Sequence, residues 1–273
     1  MTTRAVPTGT RRTDTITRWP AAAYRATFAA ADPIDDGALP PGWHKLYFLA
    51  APTLSELRPD GTPGADAVLP DIPLPRRMYA GEEIAFHRPI RYGEDLELTT
   101  RLGDIREKTG SSGSLVFVTL ESSILAGTEL VVSIRQHDVF LGAGGTPRPP
   151  APGPEREEWG WSEEIALTPV HLFRFSALTF NSHRIHYDRD WVRDTEGQPD
   201  LLVHGPLLEM LLLDFARRNA PEREVGGFAV RIAAPTVVGT AVRLVGIPEP
   251  EGARLWAVDE RGGILVSGRV DWA

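Results

Sequence analysis

Six polar side chains, Asn181, His183, Arg184, His186, Tyr187 and Asp188, fall within eight positions at the end of the stretch LFRFSALTFNSHRIHYD. Two of the chain's seven histidines stand there, three residues apart, and another, His204, follows in LLVHGPLLEMLLLDFARR. A neutral imidazole is the one ordinary side chain poised to exchange a proton near neutral pH. General acid-base work of that kind contributes roughly 10²- to 10⁴-fold to a rate. Asn181, five residues before His186, can hold a water or a substrate oxygen without titrating. The competing reading is a polar loop that caps a helix, with His186 a satisfied core histidine. The clustering, and the helix that follows it, favour chemistry.

Two elements must place these groups. The run LFRFSALTF from Leu172 reads as an alternating apolar strand. From Leu207 to Phe215 only Glu209 and Asp214 are polar, so this helix is apolar nearly all round and has to be wrapped, most simply by a sheet. Its start, Val203-His204-Gly205-Pro206, suits a cap followed by proline at the first helical turn, where a missing N–H costs nothing. The amides at such a start have no intrahelical acceptor and point at whatever anion or polarised oxygen sits there. Gly205 admits a ligand close to the backbone. A donor aimed at an oxyanion is worth about 2.7–4 kcal/mol in catalysis.

The string N-S-H-R-I-H from Asn181 to His186, followed by the V-H-G start of a buried helix, resembles the hydratase motif of the MaoC-like, R-specific enoyl-CoA hydratase group. Within that group it is most similar to the branch containing 3-methylfumaryl-CoA (mesaconyl-CoA) hydratase and the mitochondrial 3-hydroxyacyl-thioester dehydratase. The group's motif reads D-x-N-P-L-H, its Asp and His acting on a water. His186 matches the His, Asn181 falls at the Asp, His183 at the Asn and Arg184 at the Pro. An amide cannot be a second base, so the resemblance makes His186 the proton carrier and Asn181 the group that places the water. The string L-P-R-R-M-x-A-G around Arg76 and Arg77 also resembles that branch. Paired arginines suit phosphate or carboxylate recognition, although a solvated charge pair is the default.

With 273 residues, 42% hydrophobic and 24% charged, the chain has the composition of a soluble globular protein large enough for two ordinary domains. A formal net charge of -8 argues against a nucleic-acid partner. The absence of cysteine removes disulfides, thiolate metal sites and thiol nucleophiles. No run is long and apolar enough to span a bilayer, and a cytoplasmic protein is expected.

Residues 1–18 read as a loosely docked or disordered arm. WPAAAYRATFAAA has helical composition, HKLYFLA reads as a short strand, and Pro52–Pro75 as an extended surface loop. Strands are expected at LELTTRL, SLVFVTLESSIL and LVVSIRQHDVFL, and again at GFAVRIAA, TAVRLVGI, ARLWAVDE and LVSGRVDWA. Between the two sets lies the proline-rich TPRPPAPGPE, a stiff spacer. Local text repeats across it: Pro89-x-x-x-Gly93 parallels Pro235-x-x-x-Gly239, and Val132-Ser-Ile-Arg135 parallels Val266-Ser-Gly-Arg269. Two matches in the same order indicate an internal duplication.

The expected fold is therefore α+β, a double hotdog of two antiparallel sheets each wrapped around a central helix. Its units are 19–146, degenerate and channel-forming, and 156–273, which carries the motif. The first unit's central helix is expected to be short, around Arg77 to Ala85. The resemblance implies hydration or dehydration of a 2-enoyl or 3-hydroxyacyl thioester, with a short branched dicarboxylic acyl group suggested by the nearest branch. Asn181 and His186 are the expected catalytic pair and Gly205 the thioester-carbonyl donor. His183, Arg184, His204, Arg76 and Arg77 are candidate substrate contacts, and Tyr187 and Asp188 close the turn. No cofactor or metal is expected. The partner is an acyl-CoA or acyl-carrier thioester, with no nucleic acid and no membrane, and a homodimer by analogy. An acyl thioesterase, or a non-catalytic or tailoring thioester-binding hotdog protein, is the alternative.

Overall fold

The computed structural model describes residues 9–28, 37–64, 68–74, 76–110, 113–142 and 150–273. Along the chain the elements are β1 (Thr10–Thr15), α1 (Arg18–Phe28), β2 (Ala38–Leu39), β3 (Arg76–Phe86), β4 (Ile90–Arg91), β5 (Asp95–Gly110), β6 (Gly113–Ala126) and β7 (Glu129–Leu141). The second half supplies β8 (Trp161–Ala166), α2 (Pro169–Leu178), α3 (Arg189–Asp194), α4 (Gly205–Asn219), β9 (Val225–Ile232), β10 (Ala241–Glu249), β11 (Gly252–Val258) and β12 (Ile264–Trp272).

Ten strands form one antiparallel sheet in the order β1-β5-β6-β7-β3-β9-β12-β11-β10-β8. Read from the middle outward, the halves mirror each other, β3 answering to β9, β7 to β12, β6 to β11, β5 to β10 and β1 to β8. The repeated text falls on matching places. Gly93 and Gly239 take φ of 92° and 81° in the turns entering β5 and β10, and the Val-Ser-x-Arg strings lie in β7 and β12. This is the double hotdog expected, with its two five-stranded sheets fused edge to edge through β3 and β9.

Helix α4 is the filling of the second half. Leu207, Leu208 and every residue from Met210 to Ala216 are buried, and the helix lies across β9 to β12 while touching β3. Each such aliphatic side chain contributes about 1.5–3 kcal/mol by leaving water, so the helix is held by its packing and its start is fixed with it.

Several expectations needed correction. The run LFRFSALTF is a helix, not a strand: Pro169 opens α2, Thr168 and His171 form a reciprocal cap, and Leu172, Phe175 and Leu178 face inward at helical spacing. Conversely Arg77–Ala85, expected as the first half's helix, lies within β3. Its burial alternates, with Glu82 and Ile84 in and Glu83 and Ala85 out, because β7 and β9 pair with it on both sides. HKLYFLA is no strand either: Trp43–Leu46 is a single 3-10 turn that packs against α1. Residues 10–15 are not a loose arm, since they pair with β5 and Ile16 is fully buried. Residues 1–8, 29–36, 65–67, 75, 111–112 and 143–149, with parts of the arm, helix, surface loop and spacer read above, lie outside the described residues.

The seam between the halves demands one glycine. At Gly81, φ is 130° and a Cβ would stand 2.0 Å from the Val230 carbonyl oxygen, where β3 bulges and β9 begins to pair. Gly81→Ala is expected to destabilise the fold by about 2–4 kcal/mol, read as a lowered midpoint in thermal or denaturant unfolding. An unchanged midpoint would show that the seam tolerates a side chain.

Candidate active site

His186 closes a short 3-10 turn, Arg184–His186, and is 6% exposed. Its Nδ1 lies 2.8 Å from the Leu202 carbonyl oxygen. A carbonyl only accepts, so Nδ1 carries the proton and Nε2 is left with the lone pair of a base. The ring stacks on His204, centroids 3.5 Å apart and planes 18° apart, while His183 meets its edge at 5.6 Å. Burial lowers the His186 pKa to about 3 against the support of the Leu202 hydrogen bond, and His183 lowers it further.

His204 is the residue before α4, and its own pKa is pushed well down by burial and by the two other histidines. Its Nε2 lies 2.9 Å from Ser176 Oγ on α2. The Ser176 carbonyl in turn accepts from the Asn181 amide at 2.8 Å. Chain direction changes at Phe180, a non-glycine residue at φ 50° that ends α2 in the left-handed region. Asn181 Oδ1 accepts from the His183 N–H at 3.0 Å. The carboxamide oxygen is thereby engaged by backbone, which leaves its NH2 as the group to meet a ligand.

A loop from the first half cradles the motif. Arg184 N–H donates to the Asp60 carbonyl at 2.8 Å, Ser182 Oγ to the Gly61 carbonyl at 2.7 Å, and Arg184 Nη1 to the Pro59 carbonyl at 3.2 Å. At Gly61, φ 82°, a Cβ would stand 2.0 Å from the Ser182 oxygen. The stretch around Gly61, read as surface loop, is therefore the floor of the motif. Arg184 also forms a fork to Asp188 Oδ2 at 2.9 and 2.7 Å and stacks on Trp191 at 4.0 Å. Asp188 in turn caps α3 through the Trp191 N–H, and Tyr187 is half exposed. Arg184 is thus engaged in the fold of the motif, while His183, half-buried, meets the His186 ring edge-on.

Gly205 opens α4. A Cβ there would come 3.2 Å from Tyr79 Cδ1 and 3.4 Å from Ile232 Cγ1, so β3 and β9 close on the first residue of the helix. Arg77 lies two residues before Tyr79 and is paired with Asp138 at 2.6 Å, with its guanidinium 5.7 Å above the Phe140 ring. Arg76 stands at the head of the same strand. The structure thus brings Asn181, His183, His186, His204 and Gly205 into one neighbourhood and places Arg76 and Arg77 along the strand that leads to it.

One buried group escaped the sequence reading. Tyr79 Oη donates to Glu209 on α4, and Lys45 Nζ lies 2.6 Å from Glu82 and 3.2 Å from Glu209. Burial and Glu82 push the Glu209 pKa up to about 8; burial also raises Glu82, but Lys45, His44 and a hydrogen bond with Glu209 together hold it below its ordinary value. The visible signal was Glu209 itself, an acid inside an apolar helical turn; Lys45 and Glu82 had none. A cavity of about 880 Å³ shares Tyr79 and Ile232 with this neighbourhood, while another of about 490 Å³ lies at the Pro152–Glu157 side of the second half and borders none of these residues.

Fold and site together define a double-hotdog protein of the dehydratase class. The chain matches the family described as hydroxyacyl-thioester dehydratase type 2 over residues 42–238, and it belongs to that family. It is 38% identical over 252 residues to mesaconyl-C(4)-CoA hydratase of Chloroflexus aurantiacus, covering 88% of this chain and 85% of that one. It is 25% identical over 235 residues to the mitochondrial hydroxyacyl-thioester dehydratase type 2 of Schizosaccharomyces pombe, 76% and 77% of the two chains. A Mycobacterium tuberculosis protein with a double hotdog fold superposes with a TM-score of 0.60 at 15% identity, over 97% and 95% of the two chains. No helix among the described residues is long and apolar enough to cross a membrane.

The histidine stack has a pH signature. With a folded pKa of about 3 against 6.5 when unfolded, His186 leaves the unfolded chain binding more protons, so its share of stability is whole above 6.5 and lost as pH falls towards 3. The unfolding free energy of the wild type is expected to fall through that window, by at most about 1.4 kcal/mol per pH unit from this residue, and His186→Asn is expected to flatten the slope. Parallel slopes for the two proteins would contradict a buried neutral imidazole.

Proposed function

We propose that the protein is a hydro-lyase that adds water to a 2-enoyl thioester, or removes it from the 3-hydroxyacyl thioester. The observation that carries this is the pinned imidazole. His186, basic at Nε2, is stacked on the residue that immediately precedes the amide end of α4. A thioester carbonyl hydrogen-bonded at Gly205 becomes a better electron sink, and the conjugated β carbon a better electrophile. His186 Nε2 then takes a proton from water as its oxygen bonds to the β carbon. The electron pair of the double bond moves towards the α carbon and carbonyl. Because an amide stands at 181, the same imidazole has to return the proton to the α carbon. Burial favours that return: a site that pushes the imidazole pKa down makes its protonated form a ready acid. Asn181 places the water through its NH2. The reverse sequence eliminates water.

The acyl group we assign is short, branched and dicarboxylic, carried on CoA. Support comes from the relative named for mesaconyl-C(4)-CoA, which spans nearly the whole chain.

His186→Ala is expected to lower kcat for hydration of short enoyl-CoA esters by about 10²- to 10⁴-fold while leaving a folded protein by circular dichroism and thermal unfolding. Retained turnover in that variant would overturn the assignment of His186.

A further inference from the structure

Lys45 and Tyr79, half-buried, and Glu82 and Glu209, buried, take no part in the proton transfer above, yet Tyr79 packs on Gly205 and Glu209 lies one helical turn beyond it. Tyr79 touches the first turn of α4 twice. Its ring packs on Gly205, where a Cβ would stand 3.2 Å from Cδ1, and its hydroxyl donates to Glu209, four residues further on. Glu209 is 1% exposed in a helix otherwise faced with leucine. Its second oxygen lies 3.2 Å from Lys45, and Lys45 lies 2.6 Å from Glu82 beside Tyr79 on β3. Three elements therefore meet: the 3-10 turn and β3 of the first half, and α4 of the second. Replacing a buried ionic group by a well-packed hydrophobe is commonly neutral or stabilising, so burial alone does not account for an acid at this position.

We propose that Tyr79 and Glu209 form a clasp that positions the amide end of α4, so that the first half sets where the Gly205 donor stands. This rests on the hydratase reading for its effect on rate, though not for the clasp itself. Tyr79 and Glu209 are positioning residues: they act through Gly205. Lys45 and Glu82 anchor the clasp. They hold the Glu209 carboxyl in place across the boundary between halves that have no covalent link there.

The test uses the full chain with Tyr79→Phe, Glu209→Leu, Glu209→Gln and the double variant Tyr79→Phe/Glu209→Leu. Amide hydrogen exchange across residues 203–212 reads the clasp directly; kcat and KM for a short enoyl-CoA read its consequence. Tyr79→Phe and Glu209→Leu are each expected to speed exchange in that segment and to lower kcat about 10-fold, the loss of one hydrogen bond, with KM within about 2-fold. Glu209→Gln keeps an acceptor for the Tyr79 hydroxyl and should restore kcat to within about 3-fold. The double variant should be no worse than either single one, since both break the same contact. Unchanged exchange at the helix start, or unchanged kcat in folded Tyr79→Phe and Glu209→Leu proteins, would overturn the clasp, as would losses that add in the double variant. If the wild type hydrates no enoyl thioester, the hydratase reading fails while the exchange measurement still decides the clasp.

Discussion

Everything at the site hangs on the stack of two neutral imidazoles. His186 belongs to the motif loop and His204 to the entry of α4, and their rings lie 3.5 Å apart. Neither ring can be charged cheaply while the other is buried against it. Each is oriented by a different partner, His186 by the Leu202 carbonyl and His204 by the Ser176 hydroxyl. The stack therefore couples the His186 ring to the helix start, while the Leu202 carbonyl fixes which nitrogen of His186 is basic. In the proposed mechanism one imidazole takes the proton, at the cost of burying its charge, and that same cost favours its return.

The first half of the chain has no motif of its own, but it does not stand apart from the chemistry. Its loop at Pro59–Gly61 receives three hydrogen bonds from Ser182 and Arg184. Its strand β3 pairs with β9 and lays Tyr79 against Gly205. Its 3-10 turn at Trp43–Leu46 brings Trp43 to Asp214 at 2.9 Å and Lys45 to Glu209. The first half thus supplies contacts that hold the motif loop and the start of α4.

The legible part of this architecture was the part written in periodicity and local text. The apolar helix from Leu207, strands β5 to β7 and β9 to β12 and the paired P-x-x-x-G turns were visible, because burial on one element leaves its own spacing in the sequence. The motif and the helix start were legible as types and spacing, though not their stacking. The failures share a cause. Arg77–Ala85 is poorly marked as a helix and is a strand because neighbours on both edges pair with it; LFRFSALTF alternates and becomes a helix because Thr168 and Pro169 start one. Lys45, Glu82 and Tyr79 come together with Glu209 only through tertiary packing across the seam, and no spacing of theirs announces it.

The central claim is that water is added at the β carbon under the control of His186, with the thioester intact. A thioesterase on the same fold would send water to the carbonyl instead, and an amide at position 181 is compatible with either path. Incubation of the wild-type protein with a short 2-enoyl-CoA in heavy-oxygen water, read by mass spectrometry with a parallel thiol assay, separates them. The account predicts a 3-hydroxyacyl-CoA bearing the heavy oxygen in its hydroxyl and no release of CoA thiol. Free thiol with the heavy oxygen in the released carboxylate would contradict it.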